Sequence, residues 1–540
     1  MDYFILLSFA FLLTTMLVPL FIKAGTKYGI IDRPSARKVH TNPIARTGGF
    51  AVFLGSMIPF VLYMFVSSRS NHRLLLGIFL GGFCIFCVGA IDDIREIDYK
   101  WKFLGQFLAA FVTLFISRIK SDIVIQLWPR FSVNFHLLSL PLYFLFLVSS
   151  INIINLADGL DGLASGICLL IFCCTAFFAY ISEDYLIVVF CMCMMGGLIG
   201  FMRYNTYPAI VFLGDTGSLF LGYAVGVCMI LLYSNSSMIS PVIPLYIVGV
   251  PIIDTSLVIF ERYMDNRPVF MPDKNHLHHK LLKIGFRHNE AVLIIYLMQL
   301  LMIILAWFLW FAIDGAILGI YLLMIIAALL FLLLFKRKEA SVSFIRREQD
   351  RKSYQFLSRV TISRVTLYSL LGGMFLFCMS ALLSVRSRIP KDIGLISLGL
   401  ILLILFFKKA NSKYIQNILK LSAYFICLYL IYALDYQPKT LSSLYNILFT
   451  GMGICYVVYI ISSVEKIPFF NMDCLLLGVV ILVFFLSRAY PWFSNVENIV
   501  IHTLFTFFFI ELLFSRYKER KLLLPVCLTL ATAAACAFWF

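Results

Sequence analysis

Residues 152 to 166 read NIINLADGLDGLASG and set Asn152, Asn155, Asp158 and Asp161 at three-residue steps, with Gly159 and Gly162 among them. In a chain that is 61% hydrophobic and 13% charged, such a cluster needs a reason, because ionisable groups at membrane depth are costly. On a helix, Asp158 and Asp161 would hold their Cβ atoms about 5 to 6 Å apart. The glycines beside them would let a ligand or another backbone approach closely. An ion pathway, a metal site and a catalytic site all satisfy this pattern.

Further acids and bases recur along the chain. Asp92 and Asp93 are adjacent, so on a helix they point about 100° apart and only one is expected to face the interior fully. A solvated helix end is the plain alternative. Asp215 lies in FLGDTGS, where Gly214 and Gly217 mark a tight turn and Ser218 is placed to cap the next span. Two carboxylates 4 Å apart repel by about 4 kcal/mol at an effective dielectric near 20. If these acids converge, they stay ionised only with a cation among them, and an oxygen-only set favours Mg²⁺ or Mn²⁺. HLHH supplies His276, His278 and His279 amid Arg262, Arg267, Lys274 and Lys280. Zinc is an alternative, although only Asp273 stands near enough in sequence to complete a set. Imidazoles among Arg and Lys suit a phosphate-rich ligand better. Arg37, Lys38, His40 and Arg46 repeat that chemistry, with ordinary basic flanking as the plain reading for half of them.

The elements that must position these groups are membrane spans. The composition excludes a soluble globule, whose charged fraction would be about a quarter. The expected class is an all-α polytopic integral membrane protein. About eleven apolar runs long enough to cross roughly 30 Å of hydrocarbon fall within residues 1–335, and about seven within 365–540. Residues 336–364 read as a basic cytoplasmic linker between a first membrane block, 1–335, and a C-terminal membrane extension, 365–540, of unknown function. The first run lacks a basic leader and a small-residue cleavage site, so it is expected to be retained. Assigning alternate loops to the cytoplasm puts roughly three-quarters of the Lys and Arg there, which accounts for the net charge of +16. Those charges sit in short loops, so no nucleic acid is expected as a partner. The fourteen Cys fall almost entirely inside apolar runs and read as small core or lipid-facing residues. Five polar loops then share one face, and the outer loops are short and featureless. Anion-binding bases beside a carboxylate–metal site point to phosphoryl transfer from a soluble nucleotide to something in the membrane.

The block from about 25 to 288 resembles the polyprenyl-phosphate N-acetylhexosamine-1-phosphate transferases. The resemblance rests on DRPSARKVHTNPIARTGG, GAIDDIREIDYKWKFLGQ, NIINLADGLDGLASG, NTYPAIVFLGDTGSLFLG and PDKNHLHHKLL, in the family's order. It implies transfer of a HexNAc-1-phosphate, most nearly GlcNAc-1-phosphate, from a UDP-sugar to undecaprenyl phosphate with release of UMP and Mg²⁺ or Mn²⁺ as cofactor. The implied location is the bacterial inner membrane, with the site on the cytoplasmic face. UDP-HexNAc, undecaprenyl phosphate and the lipid bilayer are the implied partners, with a homodimer allowed. Asp92 and Asp93 would handle metal and lipid phosphate, one of them as a base. Asn155, Asp158 and Asp161 would line the nucleotide and metal site, and Asp215, with Asp92, would ligate the metal. Arg262, His276, His278 and His279 would hold the sugar nucleotide. Lys38, His40 and Lys102 would contact substrate, and Gln106 neighbouring helices. Direct attack by the lipid phosphate and a phospho-aspartate relay both leave the sugar C1–O bond intact. Ala45, Glu261 and Lys274-Asn275 depart from the pattern at positions bearing on donor identity.

Two rivals carry distinct expectations. An intramembrane aspartyl protease would pair Asp215, in DTGS, with Asp254. A transporter with an Asp-lined cation site would place its polar groups near the bilayer midplane in interrupted, often repeated helices.

Overall fold

The computed structural model describes residues 2–33, 43–66, 72–119, 122–236, 239–268 and 276–336. Lys38 and His40, the greater part of the expected linker and the whole C-terminal extension lie outside the described residues.

Helices dominate, in the order α1 (Asp2–Tyr28), α2 (Gly48–Val66), α3 (His72–Arg95), α4 (Tyr99–Ser117), α5 (His136–Ala157), α6 (Leu163–Ile181), α7 (Tyr185–Asn205), α8 (Gly214–Ser234), α9 (Ile243–Ile247), α10 (Gly249–Met264), α11 (Leu277–Ile284), α12 (His288–Leu309) and α13 (Asp314–Lys336). Among the described residues, eight helices are long and apolar enough to cross a membrane. Each of the eleven expected runs has a helical counterpart. Lys100 and Lys102 dilute the start of α4, which is therefore not among the eight, and α13 continues apolar to its end. The run expected at 239–260 is broken into α9 and α10 at Val248. There the buried Gln299 of α12 stitches the gap: its Nε2 donates to Ile247 O at 2.7 Å, and its Oε1 accepts from Val250 N–H at 3.2 Å. A broken helix is tolerated at depth when a neighbour satisfies the freed backbone in this way.

α8 lies at the centre, almost wholly buried, against α2, α3, α5 and α6, while α1 packs on α2 and α7. Because successive spans run up and down, the C-termini of α1, α3, α5 and α7 gather at one end with the N-termini of α2, α4, α6, α8 and α12. The polar loops sit at that end. Two small antiparallel pairs supplement the helices: β1 (Ile31–Asp32) with β2 (Ile44–Ala45), and β3 (Val124–Trp128) with β4 (Phe131–Asn134). Ala45 O accepts from Phe212 N–H at 2.8 Å, docking the first loop beside the start of α8. The β3–β4 hairpin, at the opposite end, shows that this face is not featureless. Gln126 N–H donates to Asp314 Oδ2 at 2.7 Å, and Val124 N–H to the Tyr233 hydroxyl at 2.9 Å.

The α3–α8 crossing is a tight constraint on the polar end. A Cβ on Gly89 would stand 2.5 Å from Thr216 Cα and 2.7 Å from Asp215 O, backbone that has no room to yield. Gly89→Val should therefore destabilise the protein by about 3 kcal/mol, the upper part of the range for overpacking. Gly319 of α13 meets nothing within 4 Å, so Gly319→Ala should be neutral or gain up to about 1 kcal/mol from helix propensity. Thermal unfolding in detergent of the two variants checks the contrast.

Candidate active site at the polar end of the bundle

Both acids at the end of α3 are buried, Asp92 at 3% exposure and Asp93 at 7%, against the expectation that only one would face inward. Each finds a different partner, which is why burial is tolerated for both. Asp93 Oδ1 accepts from Asp215 N–H at 3.0 Å, and its Oδ2 accepts from Thr216 N–H at 2.8 Å and from the Thr216 hydroxyl. A carboxylate on the first amides of a helix is favoured by hydrogen bonding and by the helix dipole together. Asp93 is thus the cap of α8. Ser218, expected to cap that helix, instead donates back to Gly214 O at 3.0 Å.

Asp92 Oδ1 accepts from Ile97 N–H at 2.9 Å, and its Oδ2 pairs with Lys102. Lys102 Nζ lies 3.5 Å from Asp215 Oδ2, so one ammonium bridges two carboxylates from α3 and α8. Asn155 of α5 completes the group: its Nδ2 donates to Asp215 Oδ1 at 2.7 Å and to Ser218 Oγ at 2.8 Å. Gln106 and Asn152 join α4 to α5 by a reciprocal pair of amide hydrogen bonds of 3.2 and 2.6 Å.

Asp158 and Asp161 do not share a helix. α5 stops at Ala157, Asp158 takes φ −80 and ψ 57, and the chain turns through Gly162 at φ +78 before α6 begins. A glycine suits that left-handed position. The turn separates the two acids by role. Asp161 Oδ2 accepts from Ala209 N–H at 3.0 Å, holding the loop that leads into α8, and its own N–H donates to His288 Nε2 at 3.1 Å. Asn205, buried at the end of α7, accepts from Gly162 N–H and from the Ser165 hydroxyl, each at 3.1 Å, and donates to Val211 O at 3.0 Å. The Asp158 carboxylate, in contrast, receives no hydrogen bond or ion pair among the described residues. Burial, followed by the charges of Asp215, Asp93 and Asp161, pushes its pKa up to about 8, with Arg46 opposing.

A carboxylate without donors beside three other acids fits a divalent cation. No three His, Cys, Asp or Glu among the described residues converge closely enough to hold an ion alone. Mg²⁺ does not require that, since it is commonly held by one or two carboxylates together with substrate phosphates and water. Asp158 retains the most capacity for such a role; Asp215 is held by Asn155 at 2.7 Å and only loosely by Lys102 at 3.5 Å, whereas Asp92 is engaged by Ile97 and closely by Lys102.

The histidines come in from the side. α11 starts at Leu277, and a Cβ on Gly159 would collide with His278 Nε2, so the glycine of the DGLDG turn lets the imidazole reach Asp158's loop. The His276 and His278 rings are parallel at 5.9 Å, and His278 and His279 lie 4.2 Å apart. Burial, and then His279, lowers the pKa of His278 to about 3, with Asp254 opposing. His278 is therefore a neutral imidazole at working pH rather than an anion-binding cation. Arg262 is buried at the end of α10.

Three contributors were not assigned from sequence: Asp254 as a partner of His276, Asn205 as the tie under the 158–162 turn, and His288 behind Asp161. Asp254 and Asp215 engage different partners, which leaves the protease pairing without a dyad. A folded pKa near 3 for His278 against about 6.5 unfolded means that the unfolded chain binds the extra proton first, so stability falls as pH drops below about 6.5 toward 3. His278→Gln should remove that increment, at most about 1.4 kcal/mol per pH unit. Unfolding temperatures of wild type and variant at pH 7 and pH 5 measure it.

Residues 75–233, from α3 to α8, match glycosyl transferase family 4. The chain is 37% identical over 290 residues, 53% of its length and 79% of the relative's, to the probable undecaprenyl-phosphate N-acetylglucosaminyl 1-phosphate transferase of Bacillus subtilis (strain 168). It is 32% identical to the decaprenyl-phosphate N-acetylglucosaminephosphotransferase of Mycolicibacterium smegmatis, over 50% of this chain and 73% of that one. With the undecaprenyl-phosphate alpha-N-acetylglucosaminyl 1-phosphate transferase of Escherichia coli O157:H7 it shares 27% identity over 63% and 93%. The matched segment carries Asp92, Asp93, Asn155, Asp158, Asp161 and Asp215 of the polar end, and the chain belongs to glycosyl transferase family 4.

Proposed function

We propose that the protein transfers GlcNAc-1-phosphate from UDP-GlcNAc to a polyprenyl phosphate, with release of UMP. The lipid phosphate oxygen forms a new bond to the β-phosphorus of the donor, and the bond from that phosphorus to the bridging oxygen breaks, the oxygen leaving with UMP. The observation that carries this reading is the Asp158 carboxylate, which has no donor among the described residues and feels the charge of Asp215, at the end of a membrane bundle whose relatives are named for this transfer. A transporter would need its acids near the bilayer midplane, whereas here they lie at helix ends.

Roles follow from the contacts. Asp158 and Asp215 would hold Mg²⁺ or Mn²⁺, which when bound would offset the diphosphate charge. Lys102, between Asp92 and Asp215, can swing toward a phosphate, and that movement would uncover Asp92 as an acceptor for a proton from the lipid phosphate. Asp93 and Asp161 act on the backbone, holding the start of α8 and the loop before it. The histidine cluster would receive the sugar nucleotide, with neutral His278 suited to hydroxyl or amide groups rather than to phosphate charge. Positive charge on the alternate loops supports a site on the cytoplasmic side of a bacterial inner membrane, where the UDP-sugar is soluble.

Incubating the full-length protein with undecaprenyl phosphate and UDP-GlcNAc labelled in the β-phosphate should move label into lipid, and chelation of divalent cations should stop it. Asp158→Asn and Asp215→Asn should each lower turnover by about a hundredfold or more while leaving the thermal transition close to wild type. Turnover at the wild-type rate in both variants, or labelling that ignores chelation, would refute the carboxylate–metal assignment. Absence of lipid labelling with every UDP-HexNAc would refute the transfer itself.

A further inference from the structure

Asp254 and Glu261 are seven residues apart on α10, two helical turns, and so stand on one face. His276, the N-cap of α11, and Lys280 are four residues apart and share a face of that element. These faces interlock. His276 Nδ1 lies 2.9 Å from Asp254 Oδ2, and Lys280 Nζ lies 2.8 Å from Glu261 Oε1. The other Asp254 oxygen accepts from Leu277 N–H at 2.7 Å, on the first residue of the helix. The side chains are sheltered, at 6% exposure for His276, 13% for Asp254 and 8% for Glu261, so the contacts are little screened by water. α11 has only eight residues, too few to hold a position by its own helical stability.

The clasp acts on both geometry and protonation. A carboxylate cannot donate, so the Nδ1 of His276 must carry the proton in the Asp254 contact. That leaves Nε2 as the ring nitrogen open to a ligand, and no hydrogen bond reaches it among the described residues. Because the His276 ring lies parallel to His278 at 5.9 Å, and a tilted His279 ring lies 4.2 Å from His278, fixing the first ring orients the row against Gly159. Glu261, one of the positions where the chain departs from the family pattern, is matched by Lys280.

We propose that Asp254 is the positioning residue of the histidine cluster, clamping α11 to α10 with Glu261 as its second anchor and holding His276 with Nε2 free for the sugar nucleotide. The assignment of the ligand rests on the transfer reading above. The clamp itself rests on the contacts alone.

Asp254→Asn separates the two effects. Asn can still accept from Leu277 N–H, so the fold should survive, but its amide donates to His276 Nδ1 and drives the imidazole proton to Nε2, inverting the atom offered to the ligand. In the full-length protein the KM for UDP-GlcNAc should rise about tenfold or more while the KM for undecaprenyl phosphate stays within about twofold, the former being the fold-change for a lost hydrogen bond to a charged group. Glu261→Lys and Lys280→Glu should each raise the donor KM, and the double exchange should restore it. Amide hydrogen exchange over residues 277–284 supplies a readout independent of activity, in which Asp254→Ala should lose protection. Unchanged donor kinetics in Asp254→Asn, or a double exchange no better than its parents, would overturn the positioning role. Intact protection in Asp254→Ala would overturn the clamp. If the wild type transfers nothing and Asp254→Ala still loses protection, the clamp stands and the transfer reading falls.

Discussion

Asp93 accepts from the first amides of α8 and from the Thr216 hydroxyl, and much of the site depends on that contact. A buried carboxylate left without donors would be pushed to its neutral form, and a buried helix start left without acceptors would forfeit several hydrogen bonds. Each group resolves the other's problem. The consequence is positional, since capping α8 with α3 brings Asp92 and Asp215 close enough to share Lys102. Gly89 makes the approach sterically feasible, and α5 then enters through Asn155, which reaches both Asp215 and Ser218 on the first turn of α8.

This arrangement leaves charge unbalanced in one place. Lys102 serves Asp92 and Asp215, Asp93 is satisfied by backbone and hydroxyl, and Asp161 by Ala209 N–H. Asp158 has no comparable donor among the described residues, and burial first, then three nearby like charges, raise its pKa. A protein can keep such a group neutral or provide it with a cation. Only the second option uses the electrostatic cost for binding, because a metal brought by a diphosphate would relieve repulsion that the fold already holds.

The long spans were legible in the sequence because length and apolarity suffice to mark them. So were the acids, by their spacing in NIINLADGLDGLASG and their adjacency at 92 and 93. Their division of labour was not. Asp93 looks equivalent to Asp92 until the start of α8 is known to lie beside it, and Asp158 looks equivalent to Asp161 only if one helix is assumed to run through both glycines. Gln299 is a single amide in an apolar run, and nothing local announces that its partners are Ile247 O and Val250 N–H, about fifty residues away. Asp254 drew attention only as a partner for Asp215, because its real partner, His276, lies across a loop.

The break between α9 and α10 is connected to the chemistry through this last pair. A continuous span would have every backbone group satisfied within itself and would leave Gln299 with nothing to bind. Interrupting it at Val248 starts α10 as a separate helix, anchored to α12 by the Gln299 amide and to α11 by Asp254 and Glu261. α12 in turn reaches the DGLDG turn twice: Tyr296 donates to Gly162 O at 2.6 Å, and His288 accepts from Asp161 N–H. The histidine row and the Asp158 turn are therefore referenced to the same helix from two directions. Under the proposed transfer, that common reference would let a sugar nucleotide on α11 meet carboxylates held by α3, α5 and α8, although no covalent segment shorter than about a hundred residues joins α11 to α5.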